Sequence, residues 1–529
     1  MPELIPAGSM FAFLAEQRRV LFPPEAFADM YAPVNGRPSV PPDLLATVVV
    51  LQALHGLSDE ETVAALRFDL RWKAACGVGL HERGFDPSLL TYFRRRLARS
   101  SRPDRIFQTV RTVVKQTGVL AGRTRRALDS AVLLDAVATQ DTITQLIAAI
   151  RRVARQVPGA AALVAAHCHA HDYTDPGKPR IAWDDEEAKT ALVSGLVTDA
   201  LALLEQLAGQ DLDEAAAGAV GLLALIAGQD VEPADGSDGT DGRWRIARHT
   251  PPDRIISTVD PEARHIHKSR QQRDDGYKAH LAVEPETGLF TAVALRPGSG
   301  ADHHEAALTP HLLAGESGPL QILADSAYAA ADLRATLTEA GHRLLIKPPA
   351  LTPAVPGGFT LDDFAIDTAA GTVTCPAGHT VALAAPAGRY QQRRATFTGL
   401  CAACPLHDRC TTAKTGRILT IRPHHDLQAA ARRQAATDRD WHDDYRRWRP
   451  MVERAVAWLV ARGNRRLPYR GAYANDRWLH HRAAALNLRR LINLGLRHIN
   501  NTWTLNAITH RRSMGRLIPT RPPRSSGRS

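Results

Sequence analysis

Hydrophobic and polar positions change their spacing several times along the chain. Pro41-Pro42-Asp43 followed by the apolar run Leu44 to Leu54 predicts a helix that opens on proline. Gly56-Leu57-Ser58-Asp59-Glu60-Glu61 ends that helix and starts the next, with Ser58 as N-cap and Glu61 at the position a capping box needs. Asp86-Pro87-Ser88 starts a third helix, which runs into Arg94-Arg95-Arg96. Short helices, tight turns and a terminal arginine run predict an all-α N-terminal domain over residues 1–120, of helix-turn-helix type. A generic helical bundle would show the same pattern.

Strand signals begin at Arg125 to Leu134, an apolar run interrupted by Asp129. Residues 136–228 are rich in Ala and Leu and read as helical, broken by Asp172 to Gly177. The acidic, glycine-rich stretch 229–242 reads as a linker, because it lacks the glutamate that closes an EF-hand calcium loop. Gly276 to Val283 and Gly288 to Leu295 alternate as hairpin partners do. Leu320 to Ala324 is a strand ending in Asp325, Leu333 to Ala340 a helix, and Leu344 to Ile346 a strand. Strands alternating with helices predict an α/β fold around a mixed sheet. The expected organisation is a core beginning over 121–350 with a helical insertion at 143–230. A β-rich, cysteine-bearing insertion follows over 351–425, then a helical C-terminal part of the core over 426–510 and a disordered basic tail over 511–529.

Composition adds a charge pattern. The 529 residues carry 66 Lys+Arg and 55 Asp+Glu, a net +11 with pI near 9.6. The excess is concentrated: residues 94–126 hold 11 basic and 1 acidic residue (+10), and 439–529 hold 20 basic and 5 acidic (+15), which leaves the rest near −14. Two cationic segments on an otherwise acidic chain predict a polyanion held at two places, with a set of solvated helix faces as the plainer alternative. Aromatics make up only 5%, which disfavours a base-stacking single-strand binder. The longest uncharged apolar stretch, Ala215 to Gly228, has 14 residues, short of the roughly 20 a membrane helix needs. Six cysteines and no secretory signal lead to the expectation of a cytoplasmic protein without membrane partners.

Candidate chemistry centres on carboxylates. Asp129 inside one predicted strand and Asp325 at the end of another would be costly as ions unless paired or metal-bound. Glu453 lies in the helical segment Pro450 to Leu459. Three acids in strand, strand, helix order could hold two Mg²⁺ (or Mn²⁺) ions through hard oxygen ligands for phosphoryl transfer. Asp135 is a rival for the first acid, and Asp302 reads as a helix N-cap, with a supporting acid as its alternative role.

At these residues the chain resembles a family. The motifs are Gly36-Arg37-Pro38-Ser39 with Gly56-Leu57-Ser58-Asp59, Leu128-Asp129-Ser130, Gly276-Tyr277-Lys278, Ala324-Asp325-Ser326-Ala327-Tyr328 and Arg449-Pro450-Met451-Val452-Glu453. Tyr469-Arg470-Gly471 and Ala485-Leu486-Asn487-Leu488-Arg489 follow. Their order and spacing resemble DDE-type insertion-sequence transposases. That resemblance implies a ribonuclease H-like core and Asp129, Asp325 and Glu453 as catalytic metal ligands. It also implies cleavage at element ends and joining of the 3′-hydroxyl to target DNA, by a homodimer in the DNA complex. Arg94, Arg95, Arg96, Lys278, Arg449 and Arg462 are the expected DNA contacts. The chain departs from the family's glutamate helix: Arg446 stands where Tyr is usual, beside Tyr445, and Val460 stands where Lys is usual, with Arg462 as its substitute.

The cysteines form a second constellation. Cys375, Cys401, Cys404 and Cys410, with a Cys-x2-Cys pair among them, suit a closed structural zinc; four reduced thiols are the plainer alternative, and His379 and His407 are substitute ligands. No Gly-x-Ser-x-Gly or Walker loop is present, and no glycine-rich dinucleotide motif follows a strand. Two other functions stay compatible with the sequence: a metal-dependent nuclease without strand transfer, and a catalytically silent DNA-binding protein.

Overall fold

The computed structural model describes residues 5–31, 40–249, 251, 253–267 and 273–506. The motif Gly36 to Ser39 and the basic tail 511–529 lie outside the described residues. The chain is mixed α/β and forms two compact units. One comprises Met1–Thr124, Glu284–Thr291 and His480–Ser529; the other comprises Arg125–Val283 and Ala292–Leu479.

The first unit opens with helices α1 (Met10–Leu21), α2 (Pro42–His55), α3 (Asp59–Phe68), α4 (Leu70–Cys76), α5 (Ser88–Arg99) and α6 (Arg105–Gln116). Helix α2 starts on proline as expected and is buried almost all round, which explains its unbroken apolar run. It ends at Gly56, whose φ of 71° is left-handed, the geometry a glycine C-cap supplies. Ser58 and Glu61 form the expected capping box on α3. The last carbonyls of α2 are closed from far along the chain. The guanidinium of Arg482, only 1% exposed, donates to Ala53 O and, at 2.7 Å, to Leu54 O. A buried cation at a helix C-terminus is favoured by the unpaired carbonyls there. Asn487 ties down residues 284–291 in the same way, accepting from Phe290 N–H and donating to Phe290 O, both at 2.8 Å.

The second unit is built on a sheet. Its strands are β1 (Arg125–Leu134), then, beyond the insertion described below, β4 (Arg264–His267), β5 (Arg273–Glu284), β6 (Leu289–Pro297), β7 (Gln321–Ala324) and β8 (Arg343–Ile346), the stretch Glu284–Thr291 counting with the first unit. The order is β4-β5-β1-β7-β8, with β6 also paired to β5. Strand β5 is antiparallel to β1, whereas β7 runs parallel to β1 and β8 parallel to β7. Gly276 permits the closest approach of β5 to β1: its φ is +139°, and a Cβ there would lie 2.4 Å from Leu133 O. Helices α11 (Glu305–Leu313) and α12 (Ala331–Glu339) bury Leu308, Leu312, Leu333 and Leu337 with Leu128, Ala282 and Ile322 of the sheet. Helix α11 is capped by His304, whose Nδ1 accepts from Ala307 N–H, so the expectation of Asp302 as N-cap is corrected.

Two insertions carry their own cores. Between β1 and β4, helices α7 (Thr142–Gln156), α8 (Ala160–His167), α9 (Glu186–Gln206) and α10 (Glu214–Gln229) enclose one apolar cluster. The acidic stretch expected to be a plain linker is mostly the loop of a hairpin, β2 (Val231–Pro233) with β3 (Trp244–Ile246). Its carboxylates pair with arginines: Asp235 with Arg245 and Arg248, Asp241 with Arg243. After β8, strands β9 (Ala365–Asp367), β10 (Thr372–Thr374) and β11 (Thr380–Ala382) form a small sheet. Strands β12 (Arg393–Thr396) and β13 (Ile418–Ile421) form a hairpin, with helix α13 (His407–Cys410) between them. Helices α14 (His425–Thr437), α15 (Arg439–Val460) and α16 (Ala472–Asn493) follow, and a hairpin of β14 (Leu496–Ile499) and β15 (Thr502–Leu505) ends the described chain.

Arg94, expected at the DNA surface, is engaged inside the first unit. Its guanidinium pairs with Asp59 through both carboxylate oxygens, and Gln52 donates to Asp59 Oδ1 at 2.7 Å. Burial pushes the Asp59 carboxyl up, but Arg94, Gln52 and Thr91 outweigh it and hold the group below the usual range. Replacing Arg94 with Ala is expected to cost about 2 kcal/mol, the scale of lost hydrogen bonds to a charged group. Because the folded value of Asp59 is lowered, this stabilisation is present above the ordinary Asp range and disappears as pH falls through the lowered value. Urea unfolding of wild type and Arg94→Ala at pH 7 and pH 3 checks both; equal midpoints at pH 7 would contradict the pairing energy.

Candidate active site

Strand register brings two acids together. Arg125, Arg126 and Ala127 of β1 lie opposite Gln321, Ile322 and Leu323 of β7. Carrying this register forward sets Asp325, the first residue beyond β7, beside Asp129. Further along, β1 gains a different neighbour: Leu134 N–H donates to Arg465 O at 2.7 Å, and Leu467 N–H donates to Leu134 O at 2.9 Å. Between these two contacts the edge of β1 floors a cleft of about 590 Å³. Asp129, Asp325 and Glu453 all line it, Glu453 projecting from α15 one turn beyond Arg449. The three expected acids thus share one cleft. Asp135 does not line it; that carboxyl is 5% exposed and accepts from Val137 N–H at 3.3 Å.

Arg449 organises the cleft's charge. It is 7% exposed, its Nη1 donates to Asp129 Oδ2 at 3.0 Å, and its Nη2 stands 3.9 Å from Asp325 Oδ2. The Asp129 side chain is 14% exposed, and burial pushes its carboxyl above the usual range in spite of the arginine. Burial acts against the Arg449 charge as well, but the carboxylates beside it prevail and raise its value. The other expected DNA contacts divide. Lys278 lines the cleft, whereas Arg462, just beyond α15, is not among the lining residues and Arg465 is. Arg95 and Arg96 are exposed on α5, with the Arg96 guanidinium 4.9 Å from the Tyr31 ring centroid.

Sequence reasoning missed Ser130, Asp274, Glu305 and Arg465 as cleft residues. Ser130 stands in the Leu128-Asp129-Ser130 motif, but nothing local gave its hydroxyl a role. Glu305 opens α11, away from any strand signal, so no local pattern links it to Asp129.

Among the described residues, no group of three or more His, Cys, Asp or Glu side chains is arranged to hold a metal ion. The donor chemistry in the cleft still suits a hard divalent cation. Asp129 and Asp325 face a common cation, the Arg449 guanidinium, at 3.0 and 3.9 Å. The four clustered cysteines are free thiols, and with His379 and His407 they line a pocket of about 20 Å³ in the β-rich insertion. Arg417 N–H donates to Cys401 Sγ at 3.5 Å. Burial, with the neighbouring thiols, pushes the Cys410 thiol up.

Two family matches bear on this geometry. Residues 374–492, which include Glu453, match a transposase DDE domain. Residues 4–96 match a second transposase domain (DUF772), and together the two matches support a DDE-type insertion-sequence transposase. No curated protein and no solved structure matches the chain. No helix among the described residues is long and apolar enough to cross a membrane.

The pairing of Arg449 with Asp129 has a measurable consequence. Arg449→Met leaves a mostly buried carboxylate without its cation and is expected to cost about 3 kcal/mol at pH 7, the scale for breaking a buried pair. Burial raises the folded value of Asp129, so its ionised form opposes folding above that value, and the opposition fades as pH falls through it. The stability gap between variant and wild type should therefore narrow from pH 7 to pH 5 in urea titrations. A gap independent of pH would show that Asp129 is not the partner left behind.

Proposed function

We propose that this chain is a DNA transposase that binds the ends of its element, cleaves phosphodiester bonds there and joins the freed 3′-hydroxyl to target DNA. One observation carries the reading: Asp129, Asp325 and Glu453, from a central strand, the end of its parallel neighbour and a covering helix, line a single cleft. The sheet supports a ribonuclease H-like core, since β5 lies antiparallel to β1 on one side and β7 and β8 continue parallel to it on the other. Mg²⁺ or Mn²⁺ bound by these three acids would activate the attacking oxygen and neutralise charge on the leaving one.

The chain's own groups do the positioning. Lys278 and Arg465 supply positive charge at the cleft for the DNA phosphates. Arg449 sets the orientation of Asp129 and Asp325 from within α15. In the first unit, the exposed face of α5 offers Tyr92, Arg95, Arg96 and Arg99 to duplex DNA, with Arg94 held beneath by Asp59. A homodimer on paired ends belongs to the same reading. So does one zinc ion held by Cys375, Cys401, Cys404 and Cys410, which the shared pocket and the N–H donated to Cys401 Sγ support.

Asp129→Asn, Asp325→Asn and Glu453→Gln should each slow divalent-metal-dependent cleavage of end-containing duplex by more than the roughly 10–100-fold that outer-shell partners of a metal site cost. Each should still shift that duplex on a gel, and Asp135→Asn should cleave as wild type does. Cleavage without joined product would point to a nuclease. Binding with no cleavage by wild type would point to a silent DNA-binding protein.

For the cysteines, metal analysis of protein purified without added zinc should give about one zinc per chain, the occupancy of one closed four-ligand site. Cys404→Ser should lower both zinc content and Tm. Metal-free protein with an unchanged Tm sinks the zinc assignment.

A further inference from the structure

Besides the three acids, two carboxylates line the cleft that the three-acid scheme does not use, Asp274 and Glu305. Glu305, the first residue of α11, is 8% exposed and lines the cleft with Asp129. Its Oε1 accepts two hydrogen bonds, from Ser130 Oγ at 2.8 Å and from Lys278 Nζ at 2.9 Å. Burial pushes this carboxyl up, but Lys278 and Ser130 prevail and hold it below the usual range, so it is ionised at neutral pH. Its place at a helix N-terminus favours the same charge. The strand register explains the grouping. Ser130 lies opposite His280, and Lys278 lies opposite Val132, two positions along the same face. His280 is fully buried and burial pushes it down to about 4, so the imidazole is neutral and adds no cation. Lys278 is therefore the only side chain of this group that brings positive charge to the floor of the cleft.

A lysine ammonium on a flexible four-carbon stem is a poorly aimed point charge. Glu305 takes one of its three donor hydrogens and leaves two for other acceptors. We propose that Glu305 is a positioning residue: it fixes the Lys278 ammonium, and with it the Ser130 hydroxyl, on the floor of the cleft so that Lys278 meets the DNA phosphate beside the three acids. The proposal rests on the transposase reading and extends it, because it assigns a role to a group outside the triad.

Positioning makes a signature that a purely structural ion pair does not. Glu305→Gln keeps the size and one acceptor oxygen but removes the charge, so the site becomes more positive while Lys278 is released. Cleavage of saturating, pre-bound end duplex should slow by about tenfold or more, the scale of a misplaced catalytic group. DNA affinity should stay within about twofold or tighten, since phosphate binding follows net charge. In a Lys278→Met background, Glu305→Gln should add nothing further, because residues that act as a unit are not additive. A second readout needs no activity. Acetic anhydride labelling mapped by mass spectrometry should show Lys278 shielded when end duplex is added to wild type, and not shielded in Glu305→Gln.

Cleavage by Glu305→Gln at the wild-type rate overturns the proposal, as does an equal loss with and without Lys278. Loss of shielding only in step with a lowered Tm would reduce Glu305 to a packing role and overturn it too. If wild type cleaves no end-containing DNA, the transposase reading fails, and the labelling pattern still decides whether Glu305 aims Lys278 at a phosphate.

Discussion

A carboxylate set into the middle of a sheet needs a cation, and the second unit is arranged around that need. Asp129 sits in β1 with its side chain only 14% exposed, and Arg449 reaches it from α15. The cost of an unpaired buried charge exceeds almost any single packing gain. Helix α15 must therefore present Arg449 to β1, and the same helix then brings Glu453 to the cleft one turn further on. The parallel register of β7 supplies Asp325 to the same place. One electrostatic requirement thus couples strand order, helix placement and the meeting of acids that are 324 residues apart in sequence (129 to 453).

Much of this was legible in the sequence where local chemistry decides. The capping box at Ser58 and Glu61, the proline start of α2, strand β1 and the hairpin of β5 and β6 all follow from short-range signals, and the structure has each of them. The meeting of Asp129, Asp325 and Glu453 was anticipated from a resemblance, because no local pattern encodes it. What escaped notice depends on distant partners. Arg94 reads as surface charge until Asp59, 35 residues earlier, is seen to neutralise it. Arg482 reads as one more basic residue, yet it closes a helix that ends over four hundred positions before it. The hairpins β2–β3 and β14–β15 have strands of three and four residues, too short for an alternating pattern to emerge. Glu305 was missed for a related reason: its importance comes from the strand register that places Lys278 and Ser130 beside it.

The insertions show a different economy of design. The four-helix segment between β1 and β4 and the β-rich segment after β8 each bury a separate apolar cluster. Neither draws on the sheet for its core, so each can grow or shrink without changing the register of β1 and β7. In the β-rich segment that core is small, eight buried side chains including Cys410. A domain with so little apolar burial gains unusually from any added cross-link.

The first unit is not one uninterrupted stretch of chain. It takes back residues 284–291 and the chain from His480 onward, where Asn487 grips Phe290 and Arg482 grips the end of α2. A gene fragment ending near residue 124 would leave the carbonyls of Ala53 and Leu54 without their cation, and would expose the apolar surface that the returning segments cover. Such a fragment should be a poor stand-in for the intact unit, prone to aggregation during expression. The same interleaving makes the unit late to complete on the ribosome, because it needs residues 284–291 and the segment from His480, both made long after residue 124. Its folding then waits on the segment that carries Arg482 and Asn487, and a translation product cut short before it would lack a finished N-terminal unit.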